Sequence, residues 1–308
     1  CLDVLRTALL VVGNNCTKDN GTRVQFWVYT TSGSTKLNSA TEVDTTKPIK
    51  ILLHGWGGNK DIHYIKVITD AYLARYGSSR TIIVVDYSMY APDGNLLTYA
   101  TAFCNAPSVG ISVGQFLCNL MNNGVSPNII HVVGHSLGAQ IAGIAGRYTR
   151  YNCNKGVNRI TGLDPAGIGY NCLISNDCSL DESDATFVDV IHTNVGVYGT
   201  ALTSGDVDFY VNYGGPLQPG CVENFTNVTA AIANPTMTIS CSHQRSCYLF
   251  AESIILNSFP TTSCVLFLCF GSRTVYMGEY CDPNPPYSMY LVETNAMSPY
   301  GKGPNGPL

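Results

Sequence analysis

The sequence predicts an α/β fold, with a mostly parallel central sheet and helices on both faces, in a single domain over residues 1–308. Short apolar segments alternate with segments of helical periodicity from about residue 49 onward, which is typical of a parallel sheet with crossover helices. The segments between the helices are apolar almost throughout, as strands covered on both faces require. No internal repeat, low-complexity stretch or linker divides the chain, and only GKGPNGPL at its end is rich in Gly and Pro.

The individual elements follow from local patterns. IKILLHGW, from residue 49, is an apolar strand that ends in a glycine turn, and residues 61–76 have apolar side chains three to four apart, which predicts a helix. RTIIVVDYS (80–88) is the next strand, and helical spacing returns over Val109–Met121. Three more short strands are predicted from IIHVVG (129–134), NRITGLD (158–164) and VDVIHT (188–193).

Composition excludes some classes of function. Only 12% of the residues are charged and the net charge is −4, so the chain lacks the basic surface that nucleic-acid binding requires. No apolar run is long enough to span a membrane, and the stretch Ala8–Val12 is far too short. With 45% hydrophobic residues, the chain can bury a large core.

Cysteines and glycosylation sequons indicate the compartment. The 13 cysteines are spread along the chain without paired CxxC zinc spacing, which predicts disulfides made in an oxidising compartment and one odd thiol. Four N-x-S/T sequons agree with secretion, at Asn15, Asn20, Asn224 and Asn227. Because the chain begins at Cys1 without a signal peptide, we expect a mature, secreted, extracellular glycoprotein.

The segment IIHVVGHSLGAQIAGIAGR, residues 129–147, contains the motif Gly-x-Ser-x-Gly around Ser136. This motif forms a nucleophile elbow when a strand precedes it and a helix follows, because the tight turn exposes the serine hydroxyl above the sheet. Gly134, Gly138, Ala139 and Ala142 supply the small residues that let the strand and helix backbones approach. The pattern predicts Ser136 as a nucleophile in an α/β-hydrolase fold.

A serine nucleophile needs a histidine base and an acid that orients it, and in this fold they follow in the order Ser, Asp or Glu, His. Asp164 ends a predicted strand and is followed by Pro and Gly, so it is the best-placed acid. Asp189 competes from within FVDVIH, whereas Asp177, Asp181, Glu182 and Asp184 have the pattern of a solvated loop. Two histidines lie beyond Asp164, and spacing alone leaves both His192 and His243 open. We favour His243, because a base on a loop can swing towards the serine.

The reaction also needs two N–H donors for the oxyanion. One is expected from Leu137, directly after the nucleophile, and the other from the loop after an earlier strand. In LLHGWGG the glycines allow close backbone approach, which makes the Trp56 amide the second candidate.

Six segments, in order, resemble the pancreatic lipase family of animals: LLHGWGG, VVGHSLGAQIAGIAG, GLDPAG, DATFVDVIHT, DVDFYVNYGGPLQPGC and CSHQRS. The similarity runs from about Ile49 to SPYGKG near the C-terminus. It implies an α/β-hydrolase fold and a triad of Ser136, Asp164 and His243. It also implies Trp56 and Leu137 as oxyanion donors, and thereby favours His243 over His192.

Departures from the family pattern bear on the substrate. Vertebrate members carry a C-terminal β-sandwich that docks a protein cofactor, whereas this chain is expected to hold the catalytic domain only and to have no colipase-type partner. The segment from His192 to Asp208 is short compared with triacylglycerol-cleaving members, which resembles the phospholipase A1 branch.

The lid of this family, in contrast, partly favours a triacylglycerol lipase. By the resemblance, a disulfide between Cys221 and Cys241 closes a lid over residues 221–241, longer than is typical of venom phospholipases A1. If residues 222–234 are helical and Pro235 ends the helix, Val222, Phe225, Val228 and Ile232 line one apolar face. A glycosylated surface loop is the alternative.

Family members that bind calcium do so after the GLDPAG strand. Asp181 and Asp184 match the carboxylate positions, but Asn176 and Ser179 replace the usual neighbours. The resemblance therefore leaves a structural calcium ion open at Asp181 and Asp184, but we do not expect one. By the same resemblance, Cys172 and Cys178 close this loop with a local disulfide.

The expected function is therefore a secreted serine hydrolase that cleaves carboxylic esters of glycerolipids at membrane or lipid-droplet interfaces, phospholipase A1-like and without a cofactor. A neutral triacylglycerol lipase is the alternative. From other classes, a non-catalytic lipid-binding or yolk-type storage protein and a carboxylesterase for small soluble esters remain open.

Overall fold

The computed structural model describes residues 21–171, 179–221, 235–265, 268–270 and 275–303. Within these residues, eleven strands form one sheet in the order β10-β9-β11-β8-β7-β6-β5-β3-β4-β1-β2. The strands are β1 (Gln25–Thr30), β2 (Gly33–Lys36), β3 (Ile49–Leu53), β4 (Thr81–Asp86), β5 (Ile130–His135), β6 (Arg159–Leu163), β7 (Phe187–His192), β8 (Val207–Val211), β9 (Thr262–Val265), β10 (Leu268–Phe270) and β11 (Met289–Val292).

The sheet is mostly parallel. The pairs from β4 through β3, β5, β6, β7 and β8 to β11 are all parallel, and the antiparallel pairs lie towards the two edges. Four α-helices belong to the described residues: α1 (His63–Tyr76), α2 (Leu96–Asn122), α3 (Leu137–Cys153) and α4 (Pro235–Ile255). None of them is long and apolar enough to cross a membrane.

The helices cover both faces of the sheet because successive side chains of a strand point to opposite faces. Ile51 and Leu53 of β3 pack into the core that contains the buried residues of α2 and α3. Leu52, between them, packs into the core shared with α1 and α4. Two apolar layers therefore enclose one parallel sheet, and the predicted α/β-hydrolase architecture is confirmed.

One helix boundary differs from the prediction. Helix α2 begins at Leu96 rather than Val109, because the Asn95 side chain accepts hydrogen bonds from the Leu97 and Thr98 amides and caps the start of the helix. Helix α4 begins at Pro235, and the helix predicted over residues 222–234 lies outside the described residues. A proline is favourable at a first helical position because the amide that it lacks would have no partner there.

Disulfides join three pairs of cysteines within the described segments: Cys118–Cys153, Cys221–Cys241 and Cys264–Cys269. The first links the ends of α2 and α3, and the second joins the start of the predicted lid to α4. Cys247 and Cys281 are buried free thiols, so the part of the chain that the structure describes holds two rather than the single odd thiol expected. The predicted pair Cys172–Cys178 lies outside the described residues.

Candidate active site

Ser136 joins β5 to α3 in a sharp turn. Its backbone takes φ 56° and ψ −120°, a left-handed φ that is rare for a residue with a side chain. Two close backbone approaches build this turn: a Cβ on Gly134 would lie 2.3 Å from the Gly138 carbonyl oxygen, and a Cβ on Gly138 would lie 2.3 Å from that of His54. The strand, serine and helix therefore have the order that a nucleophile elbow requires.

Asp164 follows β6 and pairs with His243. The His243 Nδ1–H donates to Asp164 Oδ2 at 2.5 Å, and the Asp164 side chain is fully buried. Asp164 Oδ1 accepts from the amides of Thr193 and Asn194 at 2.8 and 2.9 Å. Because these amides fix one carboxylate oxygen, the other is held towards the imidazole. Such a carboxylate sets the tautomer of the histidine and leaves Nε2 as the base.

A cavity of about 510 Å³ brings the reactive side chains together, since both Ser136 and His243 line it. Each of these residues is only 8% exposed. The edge of Tyr198 contacts the His243 ring at a centroid distance of 5.4 Å. The site therefore combines a largely enclosed serine with an oriented histidine.

The two predicted oxyanion donors border the same site. A Cβ on Gly55 would lie 3.1 Å from the Ser136 Cβ, so the loop after β3 runs directly beside the serine. The indole N–H of Trp56 donates to the Pro92 carbonyl at 2.8 Å, which anchors this loop. Among the described residues, no acceptor faces the backbone N–H of Trp56 or that of Leu137 at the start of α3. Both amides are therefore unpaired within these residues, and Trp56 also lines the cavity.

Comparison with known proteins decides the family. The family model described as Lipase matches residues 16–292.

The chain belongs to the lipase family.

Relatives of this lipase-family chain differ in the activities that their names give. Pancreatic triacylglycerol lipase of Oryctolagus cuniculus is 37% identical over 210 residues, which cover 61% of this chain and 44% of that protein. Phospholipase A1 member A of Rattus norvegicus is 31% identical over 315 residues, covering 93% and 65%. Inactive pancreatic lipase-related protein 1 of Homo sapiens is 34% identical, covering 61% and 44%. The chain spans roughly half the length of several such relatives.

The competing histidine and acid of this lipase-family chain have other partners. His192 Nε2 lies 2.6 Å from Asp208 Oδ1, its ring stacks on Tyr210, and it has no exposed surface. Asp189 accepts from Arg159 Nε at 2.7 Å and is likewise buried. Neither His192 nor Asp189 lines the cavity that contains Ser136.

One expectation about His243 is wrong: the residue lies inside helix α4, not on a loop. A helical base is held by its backbone rather than free to swing, so the site is preorganised around the imidazole.

His135, which chain order set aside, contributes to the site from the position before the nucleophile. Its Nε2–H donates to the His243 backbone carbonyl at 3.2 Å, and the two rings lie 4.5 Å apart. Burial, together with the nearby His243, holds the pKa of His135 well below its usual range. A neutral His135 adds no positive charge that would oppose the imidazolium of His243. Its only sequence signal is its place beside Ser136.

The two carboxylates considered as calcium ligands form ion pairs with Arg147. Arg147 donates to Asp184 Oδ1 at 2.8 Å and lies 3.4 Å from Asp181 Oδ2. Asp181 and Asp184 also exchange hydrogen bonds with each other's backbone amides as a capping box. No cluster of three or more His, Cys, Asp or Glu side chains suited to a metal ion occurs in the described ranges.

The lid prediction can be followed only at its ends. The Cys221–Cys241 disulfide is present, and Arg245 contacts the Cys221 sulfur at 3.2 Å. The predicted apolar lid positions Val222, Phe225, Val228 and Ile232 lie outside the described residues, as do the sequons at Asn15, Asn20, Asn224 and Asn227.

Proposed function

We propose that this chain is a secreted carboxylic ester hydrolase that cleaves glycerolipids with a Ser136–His243–Asp164 triad, in the manner of a phospholipase A1. The observation that carries the proposal is the oriented His243–Asp164 pair, which opens onto the same cavity as the strained Ser136. A buried histidine that pairs with an aspartate and lines the same cavity as a serine has the components that activate a hydroxyl.

The proposed reaction proceeds in two halves. His243 Nε2 takes the hydroxyl proton while Ser136 Oγ attacks the ester carbonyl, and the Trp56 and Leu137 amides stabilise the oxyanion. His243 then donates this proton to the leaving alcohol, and an acyl-serine remains. Water, deprotonated by the same imidazole, attacks the acyl group and releases the fatty acid. Asp164 keeps its hydrogen bond to the imidazolium that forms in each half.

The loop between β7 and β8 favours phospholipid as the substrate. It folds back beneath the catalytic acid: the Gly199 amide donates to the Asn194 carbonyl at 3.0 Å, and a Cβ on Gly199 would lie 2.6 Å from Asp164 Oδ1. Tyr198 is its only residue among those that line the cavity in the described segments. A loop this compact contributes little to the cavity wall, in keeping with the short segment that favours the phospholipase A1 branch. A neutral triacylglycerol lipase is the second candidate, favoured by the length of the segment between Cys221 and Cys241.

Secretion is supported by the disulfides, which persist in oxidising compartments. The opposing function, a non-catalytic lipid-binding protein, has a counterpart in a relative named as inactive. The intact site argues against it here, because a carrier needs neither the histidine–aspartate pair nor the unpaired amides.

The test compares wild type and Ser136→Ala on phosphatidylcholine vesicles and on a triolein emulsion, with released fatty acid as the readout. We expect release from phosphatidylcholine to exceed release from triolein and to be lost in the variant. A preference for triolein would replace phospholipase by neutral lipase. No release from either substrate by the folded wild type would contradict hydrolysis altogether.

A further inference from the structure

We propose that Asp93 determines headgroup specificity, favouring glycerophospholipids that carry an ammonium group over those with an anionic headgroup. The inference rests on the proposed function, since it concerns the same cavity. Asp93 lines this cavity together with Ser136 and is exposed at its mouth. It plays no part in the triad or the oxyanion site.

The carboxylate of Asp93 is held beside the oxyanion loop. Two hydrogen bonds tie the neighbouring backbone to that loop: the Gly57 amide to the Ala91 carbonyl at 3.1 Å, and the Trp56 indole to the Pro92 carbonyl at 2.8 Å. Asp93 Oδ1 accepts from the Gly94 amide at 2.8 Å and would lie 2.9 Å from a Cβ on Gly57. The charge therefore has a defined position relative to the reacting carbonyl.

The fixed charge of the cavity is negative. Among the described residues that line it, Asp93 is the only acidic side chain, and none is Lys or Arg. His135 stays neutral because burial lowers its pKa. An anionic headgroup entering this cavity meets repulsion without a compensating cation, whereas an ammonium group finds a counter-charge.

Aromatic rings add a second attraction for a cation. Trp56, Tyr64, Tyr99 and Tyr198 all line the cavity, and Trp56 meets Tyr99 edge-to-face at 5.4 Å. The π faces of such rings attract ammonium groups and do not attract anions. A carboxylate next to aromatic side chains is therefore chemically suited to choline or ethanolamine.

The geometry of the substrate agrees with this assignment. When the ester carbonyl lies at Ser136, the glycerol and phosphate carry the ammonium several bonds away, towards the exposed mouth where Asp93 lies. The phosphate is common to all phospholipids, so discrimination depends on the group beyond it. Phosphatidylglycerol has a neutral glycerol there and keeps a net negative charge.

The test uses Asp93→Asn, which keeps the shape and removes the charge. The substrates are dihexanoyl phosphatidylcholine and dihexanoyl phosphatidylglycerol, each below its critical micelle concentration, so that surface binding does not contribute. Tributyrin has no charged headgroup and serves as the reference substrate. A change in its rate measures the effect of the Asp93 charge on the oxyanion alone. Asp70→Asn is the matched control, because Asp70 is an exposed carboxylate on α1 that pairs with Lys66 and lies outside the cavity lining.

We expect wild type to have a higher kcat/KM for phosphatidylcholine than for phosphatidylglycerol. Asp93→Asn should lower the ratio of these two kcat/KM values by about fivefold, the size expected of an exposed charge that acts on both substrates. Added salt lowers the ratio in wild type and leaves the variant unchanged. A ratio that shifts no more in Asp93→Asn than in Asp70→Asn would overturn the headgroup assignment alone. Hydrolysis of none of the three esters would overturn the proposed function with it.

Discussion

Replacing Gly199 by alanine should displace Asp164, the proposed catalytic acid, without substituting a triad residue. The added Cβ would lie 2.6 Å from Asp164 Oδ1 and 2.8 Å from Oδ2, where ordinary contact begins at 3.4 Å. Gly199 does not use a left-handed φ, so its backbone accepts alanine. Asp164 is fully buried, and amides fix its position, so the carboxylate has to move by most of an ångström and carry its bond to His243 with it.

The expected loss follows from that displacement. A misplacement of about 1 Å costs on the order of 100-fold in rate, so Gly199→Ala is expected to lower kcat by about 10- to 100-fold with little change in KM. Overpacking lowers the free energy of unfolding by about 1–3 kcal/mol. The assay is hydrolysis of p-nitrophenyl butyrate, with urea unfolding measured in parallel. Gly215→Ala is the control, because no atom of the described residues lies within 4 Å of its added Cβ. A folded Gly199→Ala protein with kcat within twofold of wild type would refute the reasoning.

Three further predictions concern stability. Burial holds the pKa values of His131 and His135 well below the value of about 6.5 that they have in the unfolded chain, so only the unfolded state takes up their protons. The free energy of unfolding should therefore fall by about 1 kcal/mol per histidine between about pH 6.5 and 5.5. Measured by urea unfolding at several pH values, this free energy should fall less steeply with decreasing pH in His131→Gln than in wild type. An equal pH dependence in the two proteins would contradict this. Replacing Cys221 and Cys241 together by serine opens a loop and should lower the free energy of unfolding by about 3 kcal/mol in urea, whereas a loss below about 1 kcal/mol would count against it. Lys50→Met removes one partner of a buried ion pair and should cost about 3–5 kcal/mol by the same measurement; a neutral effect would show that the pair is dispensable.

Sequence patterns predict the centre of the fold better than its edges. The central strands are predicted well because they are buried on both faces and therefore apolar throughout, as β3 and β5 are. The start of helix α2 is not predicted because its first turns carry apolar residues on more than one side: Leu96 and Leu97 are exposed, whereas Tyr99 and Ala100 are buried. The apolar positions there do not form a single face. Strands β1, β2, β8, β9, β10 and β11 are not predicted. Exposed or half-buried faces weaken the pattern in β1, β2 and β11, and the buried Asp208 interrupts the apolar run of β8.

The candidate site shows a similar division. The strand–serine–helix pattern locates Ser136, because the turn leaves no room for larger neighbours. The pairing of His243 with Asp164, and of His192 with Asp208, depends on contacts between residues far apart in the chain, and spacing alone left both histidines open. The resemblance to the lipase family favoured His243, although its helical setting was not foreseen. No periodic sequence pattern indicates that Asp93 and His135 lie at the site.

The most direct test of the triad is labelling by a fluorophosphonate, followed by intact mass measurement and peptide mapping. The account predicts one phosphonyl group per chain, on Ser136, and a labelling rate that falls by about 1,000-fold in a folded His243→Ala variant, because the hydroxyl loses its base. Labelling at another residue, or at Ser136 with equal rates in the two proteins, would contradict the account.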